Sequence, residues 1–552
     1  MTEPTIEQTF TLAVRHHHAG RLPEAQKLYR QILSRQPQHS GALHYLGVIA
    51  NQAGRRNEAV ELILRAVALN PINPDAYGNL GNAFKDIGKL DEAIAAYRQA
   101  IALDPSAPES HSNLGNALRE KRQYKEAVAA LRQAIALSPN FPEAHNNLGN
   151  VLRDTGQLDE SIAAYRQAIA LNPNFAEAHN NLGSALKDKI QLDDAAAAFR
   201  RAIALNPSFA EAHSGLGGAL KQLGKFDDAI AACRQAIALK PTYPDAHWNL
   251  ALTLLCTGQF AQGWQEFEWR LRISSLKLER NFPQPFWTGE NLPGQTLLIH
   301  SEGGFGDTLN FIRLVPLIAG RVGNIVVECQ PELLRLLQGF PGVDQWIPRG
   351  QPLPHFDCRI PLPSLLRVLA FDPRNVPNPV PYLKAPRAIA ESWQARVPRD
   401  GIKNIGLCWA GSHTDLSRRT RQISVFAPLS PIPGVRFFSL QKGPEADQPP
   451  PAGMQLIDHT RELADFADTA ALIENLDLVI SVDTAIVHLA GALAKPVWVL
   501  IPFRSDFRWL LDRQDSPWYP TLRLFRQNAD EDWNAVVGRI AGALRDGTKS
   551  PP

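Results

Sequence analysis

Seven prolines, Pro37, Pro71, Pro105, Pro139, Pro173, Pro207 and Pro241, follow one another at intervals of 34 residues. A period that regular excludes an ordinary single-core domain over this stretch and requires a unit that stacks on copies of itself. Glycine keeps the same period at Gly47, Gly81, Gly115, Gly149, Gly183 and Gly217, and a small residue does so at Ala59, Ala93, Ala127, Ser161, Ala195 and Ala229. Within the unit Ala76 to Pro105, Tyr77, Leu80 and Phe84 form one helical stripe, and Ala93, Tyr97 and Ala100 form another. Gly88 is suited to end the first helix, and Pro105 stops the second because proline is excluded from helix interiors. Each unit therefore reads as a pair of helices, with Gly81, Ala93 and Ala100 permitting close approach.

These residues resemble the tetratricopeptide repeat, whose signature positions coincide with Gly81, Ala93, Tyr97, Ala100 and Pro105. Full repeats are expected to begin near Ser40, Pro74, Pro108, Pro142, Ala176 and Ala210, and degenerate ones near Ile6 and Asp245. In the last, Ala251 replaces the recurrent glycine and Gly263 the recurrent alanine, as suits a repeat that caps the stack or docks on another domain. The resemblance implies an α-solenoid, a tetratricopeptide superhelix with a concave binding face. Asn79, Asn113, Asn147, Asn181 and Asn249 share one repeat position, interrupted by Gly215, and Asn82, Asn116 and Asn150 share a second. The resemblance places this first helix on the concave side. An amide offers both donor and acceptor, so a column of them suits an extended peptide backbone; the alternative is an amide merely tolerated there. A similar ladder marks the repeats of O-linked N-acetylglucosamine transferase. His16, His17 and His18 lack acidic or cysteine companions in sequence and read as a solvated helix face.

All 11 tryptophans of the 552-residue chain lie between Trp248 and Trp533, so a second sequence regime is expected to begin near residue 250. There, short apolar runs alternate with helical stretches. Strands are expected at Thr296–His300, Asn324–Cys329, Gln345–Pro348 and Cys358–Pro361, a loop at Pro373–Pro381, and further strands at Asn404–Trp409, Arg436–Leu440, Gln455–Asp458, Asp477–Asp483, Pro496–Ile501 and Leu522–Phe525. Buried strands separated by helices mean parallel α/β sheets. Two series joined near residues 382–402 give two Rossmann-like lobes, which bind ligands at the carboxyl ends of their strands.

Three motifs fall at such ends. In SEGGFGDTLNF, Ser301–Phe311, Gly303, Gly304 and Gly306 let backbone approach a ligand, with a helix expected from about Asp307; an aspartate helix cap is the plainer alternative. In LDLVISVDTAIVHLAGALAKPVWVL, a strand runs into Asp483 and Thr484 and a helix carries His488. That helix start is a potential anion site, whereas His488 also fits a buried structural histidine. In Trp409–Ser424, arginines cluster after a strand; from Ile402 to Phe426 there are four basic residues against one acid. Guanidinium forks match phosphate oxygens, although a solvated basic loop would look the same. Lys442 follows another strand and is a further cation candidate.

Together these residues look like the heptosyltransferase-like glycosyltransferases of family 9, over about Thr296 to Asp546. Gly304–Asp307 resembles the family's Gly-x-Gly-Asp loop, and Asp483, Thr484, His488, Leu489 and Ala490 its nucleotide-binding segment. The resemblance implies a GT-B fold and a glycosyltransferase. Asp307 would act as general base, and Gly304, Gly306, Arg419, Arg421, Lys442, Asp483, Thr484 and His488 would bind a nucleotide-diphosphate sugar as co-substrate. No cofactor is expected; no metal-ligand cluster or Asp-x-Asp motif stands out, so metal independence is expected, and the resemblance implies an inverting reaction. The expected boundaries are a solenoid over 6–277, an acceptor-side lobe over 278–390 and a nucleotide-sugar lobe over 391–552. The asparagine file Asn79, Asn113, Asn147, Asn181 and Asn249 would recruit a protein or peptide acceptor. The alternatives are a non-enzymatic scaffold with an inactive GT-B domain, and transfer to a lipid-linked or polysaccharide acceptor.

Charge and cysteine content narrow the partners. Lys and Arg number 57 against 55 acids, which leaves no electrostatic footprint for nucleic acid. No run of 18 apolar residues suggests a membrane span, and the N-terminus MTEPTIEQTF lacks the apolar core of a secretory signal. Five cysteines without a Cys-x-x-Cys pair suit a reducing compartment, so a cytoplasmic location is expected.

Overall fold

The computed structural model describes residues 4–278, 280, 282–375, 380–411, 422–503, 505–528 and 531–546. The chain packs as two compact units, Met1–Ala219 and Leu220–Pro552.

The first unit consists of stacked helix pairs, a tetratricopeptide solenoid. The first helices of successive repeats are Ile6–His18, Ser40–Gln52, Pro74–Asp86, Pro108–Glu120, Pro142–Asp154 and Ala176–Asp188, and another begins at Ala210, so the period sets the helix starts. Reversal between the two helices of a pair needs a left-handed residue. Gly88 supplies it at φ +77°, and Arg122 takes the same conformation at φ 61° where the glycine is missing. The recurrent Gly81 has a packing cause. A Cβ there would stand 2.5 Å from the Tyr97 ring. Tyr97 is fully buried and its hydroxyl donates to Asn82 Oδ1 at 2.7 Å. Tyr165 repeats the bond to Asn150 at 2.7 Å, so this asparagine file closes its own helix pair.

A histidine file also emerges. His111, His145, His179 and His213 each bring Nε2 within 3.0–3.1 Å of the carbonyl of the proline six residues earlier. Arg119 to Asp154 (2.6 Å) and Arg153 to Asp188 (2.7 Å) tie one repeat to the next.

The second unit begins with repeat helices and continues into two parallel α/β lobes, the arrangement of a GT-B fold. The first lobe has β1 (Leu292–His300), β2 (Val322–Cys329), β3 (Gln345–Pro348) and β4 (Cys358–Pro361), in the order β3-β2-β1-β4. The second has β5 (Lys403–Cys408), β6 (Val435–Ser439), β7 (Leu456–Ile457), β8 (Leu478–Val482), β9 (Val497–Ile501) and β10 (Leu522–Arg526), in the order β10-β9-β8-β5-β6-β7. Every pairing between these strands is parallel. All ten expected strands form, with ends shifted by a few residues; β1 starts earlier, at Leu292, which pairs with Val322 across a register shift between Leu292 and Thr296. Chain direction across the sheet reverses between β1 and β4 and between β5 and β8, which are the places where such sheets bind ligands. Within the expected loop Pro373–Pro381, Pro373–Asn375 is a short 3-10 turn, and 376–379 lie outside the described residues.

The irregular last repeat belongs to this body. Its helices, Pro244–Cys256 and Phe260–Phe267, contribute Ala251, Leu255, Phe260, Trp264 and Phe267 to the same apolar core as Leu297, Ile299 and Trp518. Trp264 Nε1 donates to Phe371 O at 2.6 Å, which satisfies its buried polar atom.

Candidate functional site at the meeting of two loops

The glycine-rich loop leaves the C-terminal end of β1. Gly303 has φ +60°, which favours glycine, and a Cβ there would meet Asp307 Oδ2 at 2.5 Å and displace that carboxylate. The following helix, Phe305–Phe311, starts two residues before Asp307, and its N-cap is Gly304. Asp307 is thus the third helical residue, not the cap. Its carboxylate accepts a hydrogen bond from the Gly304 backbone, the return half of a capping box.

Gly306 turns toward the second motif. A Cβ there would lie 2.9 Å from His488 Cδ2 and 3.6 Å from Ala485 Cα. The loop that follows β1 therefore packs on the helix Ala485–Ala492 that follows β8. Two motifs some 180 residues apart in sequence meet between the lobes. Thr484 caps that helix with extended backbone and no side-chain cap bond, and Asp483 beside it is buried. His488 is buried as well. Its Nδ1 lies 3.0 Å from the Tyr519 hydroxyl, which donates to Asn310 Oδ1 at 3.1 Å, and its ring stacks on Trp509 at 5.7 Å.

The sequence reading missed Arg508. Its guanidinium bonds Asp307 Oδ1 and, at 2.8 Å, Asp506 Oδ1, and its charge also acts on Asp483. It lies over the rings of Phe311 (5.1 Å) and Phe507 (4.7 Å). One arginine thus links the acids of both motifs. The only sequence signal for it was its place among the aromatics of FRWLL. About a third of the Asp307 side chain stays exposed, at 34%. Burial lifts its carboxyl above the ordinary carboxylate range and Arg508 pulls it part of the way back, with a net upward direction.

Lys442 Nζ donates to the carbonyls of Thr460 (2.9 Å) and Leu463 (2.6 Å). Gln441 Oε1 accepts from the backbone of Trp409 (3.0 Å) and Ala410 (2.8 Å), which fixes the start of the arginine loop. Arg419 and Arg421 lie outside the described residues. In the repeats, Asn79 donates to His44 Nε2 (2.9 Å), Asn147 to Ser112 Oγ (3.2 Å) and Asn181 to Asn146 Oδ1 (3.1 Å), each reaching the preceding repeat. Asn79, Asn113, Asn147, Asn181 and Asn249 are all half-buried.

A second missed element holds the glycine loop in place. Arg270, buried just after the last repeat helix, binds Glu302 (Nε to Oε2, 2.8 Å), Ser364 Oγ (2.8 Å) and Glu268 (2.8 Å). The end of the repeats is thereby keyed to the loop that carries Asp307.

Comparison with known proteins agrees with this architecture. The TPR repeat profile matches residues 81–121, 115–156 and 149–189, and tetratricopeptide repeat profiles match 11–76, 181–244, 219–262 and 62–95. Glycosyltransferase family 9 (heptosyltransferase) matches residues 463–500, which contain Asp483, Thr484 and His488. The chain thus carries tetratricopeptide repeats over residues 11–262 and, in its α/β region, a short segment similar to glycosyltransferase family 9. It is similar to protein FlbA of Caulobacter vibrioides, at 28% identity over 338 residues, 54% of each chain. The chain thus spans about half the length of the curated relative it matches. Among solved structures it is similar to the APC/C hetero-tetramer Cut9–Hcn1 (20% identity, 44% of this chain and 48% of that one, TM-score 0.40). It is also similar to YrrB, a TPR protein with an unusual peptide-binding site (26%, 34% and 96%, TM-score 0.28), and to pilF of Pseudomonas aeruginosa (22%, 38% and 94%, TM-score 0.34). Among the described residues, no helix is long and apolar enough to cross a membrane.

Proposed function

We propose that the α/β body transfers a sugar from a nucleotide-diphosphate sugar to an acceptor hydroxyl, and that the repeats recruit a protein or peptide carrying that hydroxyl. The observation that supports this most is the seating of Gly306 against Ala485 and His488, with Arg508 joining Asp307 to the acids beside Thr484. In this reading 6–277 recruits the acceptor, 278–390 forms the acceptor-side lobe and 391–552 the donor lobe.

Asp307 is the general base. It takes the acceptor proton as the hydroxyl oxygen attacks the anomeric carbon, a contribution of about 10²–10⁴-fold. A raised carboxyl pKa brings it nearer the operating pH, and its exposed edge leaves an oxygen within reach of substrate. The larger part of the barrier is lowered by fixed positive charge on the departing diphosphate. The start of the helix Ala485–Ala492, Arg419, Arg421 and Lys442 supply that charge, with no metal ion. The asparagine file holds the acceptor backbone; at Asn79 and Asn147 the Nδ2 atom is engaged by the preceding repeat, which leaves Oδ1 to accept from the acceptor.

The test is incubation with a panel of labelled nucleotide sugars and candidate acceptors. Transfer by the wild type and its loss in Asp307→Ala is the expected result. Full transfer by Asp307→Ala removes the assigned role. Absence of any nucleotide binding by calorimetry leaves a scaffold.

A further inference from the structure

One buried arginine joins the end of the repeats to the proposed centre. Arg270 lies in the short 3-10 turn Glu268–Arg272, which continues straight from the last repeat helix, Phe260–Phe267. It is 2% exposed, and a charge buried this deeply persists only when its N–H groups find acceptors. Nε and Nη2 grip Glu302 as a fork, at 2.8 and 3.4 Å, and Nη2 also donates to Ser364 Oγ at 2.8 Å. Nη1 donates to Glu268 Oε1 at 2.8 Å and to the Phe267 carbonyl at 3.2 Å. All five N–H groups of the guanidinium are thereby engaged. Its two partners outside the turn and helix sit on neighbouring strands. Glu302 follows β1 and Ser364 follows β4, the pair at which strand order reverses in the first sheet. Arg270 therefore ties the carboxyl ends of both strands to the last repeat.

The glycine loop needs such a tie. In SEGGFG, Ser301 to Gly306, glycine holds three positions, and a glycine backbone has no side chain to fix it. Between Ser301 and Phe305, Glu302 is the one side chain, and it is 7% exposed. Ahead of it, Arg349 donates to the Ser301 carbonyl (2.6 Å) and hydroxyl (2.8 Å). Beyond it, Gln330 Nε2 reaches the Gly303 carbonyl at 3.4 Å, and the Phe305 ring packs on Phe466 at 4.8 Å. Glu302 sets where the glycine run departs, and Arg270 sets Glu302.

The link is electrostatic as well as steric. Burial lifts the Glu302 carboxyl above its ordinary value, Arg270 opposes that, and the Glu268 and Asp307 carboxylates add to it. Burial likewise raises the Asp307 carboxyl and Asp506 reinforces that, whereas Arg508 and Arg270 favour its ionised form.

We propose that Arg270 is a positioning residue for the transferase: it holds Glu302, and Glu302 places the glycine loop so that Asp307 stands at the acceptor hydroxyl. The inference rests on the transfer reading of Asp307. The end of the repeats is then a working part of the reaction centre and not only a recruiting arm. A buried ion pair adds little stability over an apolar pair of the same volume, so what this one supplies is direction, a planar fork that fixes one orientation of the carboxylate.

Three variants of the full chain test this. Arg270→Lys keeps the charge without the fork, and Arg270→Gln and Glu302→Gln each remove one charge. Hydrogen exchange of residues 301–311 is compared with that of β8, and sugar transfer is followed over pH. Arg270→Lys should speed exchange in 301–311 severalfold with β8 unchanged. It should lower kcat by up to about 10²-fold, the cost of about 1 Å of misplacement, with little change in donor KM. Arg270→Gln should do the same and also move the acid limb of kcat/KM to higher pH, because a cation that favours ionised Asp307 is gone; Arg270→Lys leaves the limb in place. Glu302→Gln carries the test should both Arg270 variants unfold. It should loosen 301–311 and move the limb the other way, to lower pH, because an anion beside Asp307 is lost. Unchanged exchange in 301–311 in the folded variants, exchange that rises equally in β8, or a wild-type kcat and acid limb overturns the proposal. A wild type that transfers no sugar overturns the transfer reading, and exchange in 301–311 then decides by itself whether Arg270 places the loop.

Discussion

Two glycines two residues apart should respond differently to the same added methyl. At Gly306 a Cβ would stand 2.9 Å from His488 Cδ2, where ordinary contact begins at 3.4 Å. His488 cannot easily yield, because its ring is buried, bonded to Tyr519 and stacked on Trp509. Overpacking of this kind costs about 1–3 kcal/mol. Alanine recovers up to about 1 kcal/mol over glycine in a helix, and less in the first turn. Gly306→Ala should therefore lose about 1–2 kcal/mol. At Gly304 a Cβ meets nothing within 4 Å, and its backbone, φ −87° and ψ 175°, suits any residue. Gly304→Ala should be neutral within about 0.5 kcal/mol, yet lower nucleotide-sugar affinity if the loop lies against substrate. Tryptophan fluorescence during heating reads this out cleanly, since all 11 tryptophans lie from Trp248 onward and report the second unit alone. A fall of about 2–4 °C per kcal/mol is expected for Gly306→Ala, with none for Gly304→Ala. A Gly306→Ala protein as stable as wild type would refute the seating of the glycine loop on His488.

Removal of Arg508 takes away the cation that favours ionised Asp307, so Arg508→Gln should raise the Asp307 pKa further and move the acid limb of kcat/KM to higher pH; an unmoved limb excludes Asp307 as the titrating base. In the repeats, Gly81→Ala should destabilise by about 1–3 kcal/mol by driving into Tyr97, while Gly78→Ala on the same helix, with nothing nearer than 4.0 Å, should stabilise by up to about 1 kcal/mol, as measured by circular dichroism melts. His44 accepts from Asn79 through Nε2 and is buried, which pushes its pKa down to about 4. A depressed imidazole contributes stability that is complete above the unfolded value of 6.5 and lost as pH falls toward 4, by up to about 3 kcal/mol. His44→Leu should flatten that acid slope in urea titrations followed by circular dichroism.

The chain's sequence determined its periodic half almost completely. Repeat helices begin at Ser40, Pro74, Pro108, Pro142 and Ala176, because proline, glycine and small residues act locally and their 34-residue period carries the register. The ten strands of the second half were legible for a similar reason, since runs buried on both faces are continuously apolar. The motifs Gly304–Asp307 and Asp483–His488 could also be found, because glycine and a helix start leave local signals. Which of these residues touch was decided only by tertiary structure. Gly306 is glycine because of His488, far along the chain, and Asp307 is governed by Arg508, an arginine with no motif of its own. The asparagine at Asn82 looked like its neighbours in the ladder but serves Tyr97, and the histidines that clamp the repeat prolines went unnoticed because a hydrogen bond to a carbonyl leaves no mark on composition. Arg270 shows the same limit most plainly. It is one arginine past the end of a helix, and only the fold brings Glu302 and Ser364 to it. Local rules act through near neighbours in sequence, whereas charge and steric contact act through space, and only the folded chain fixes those distances.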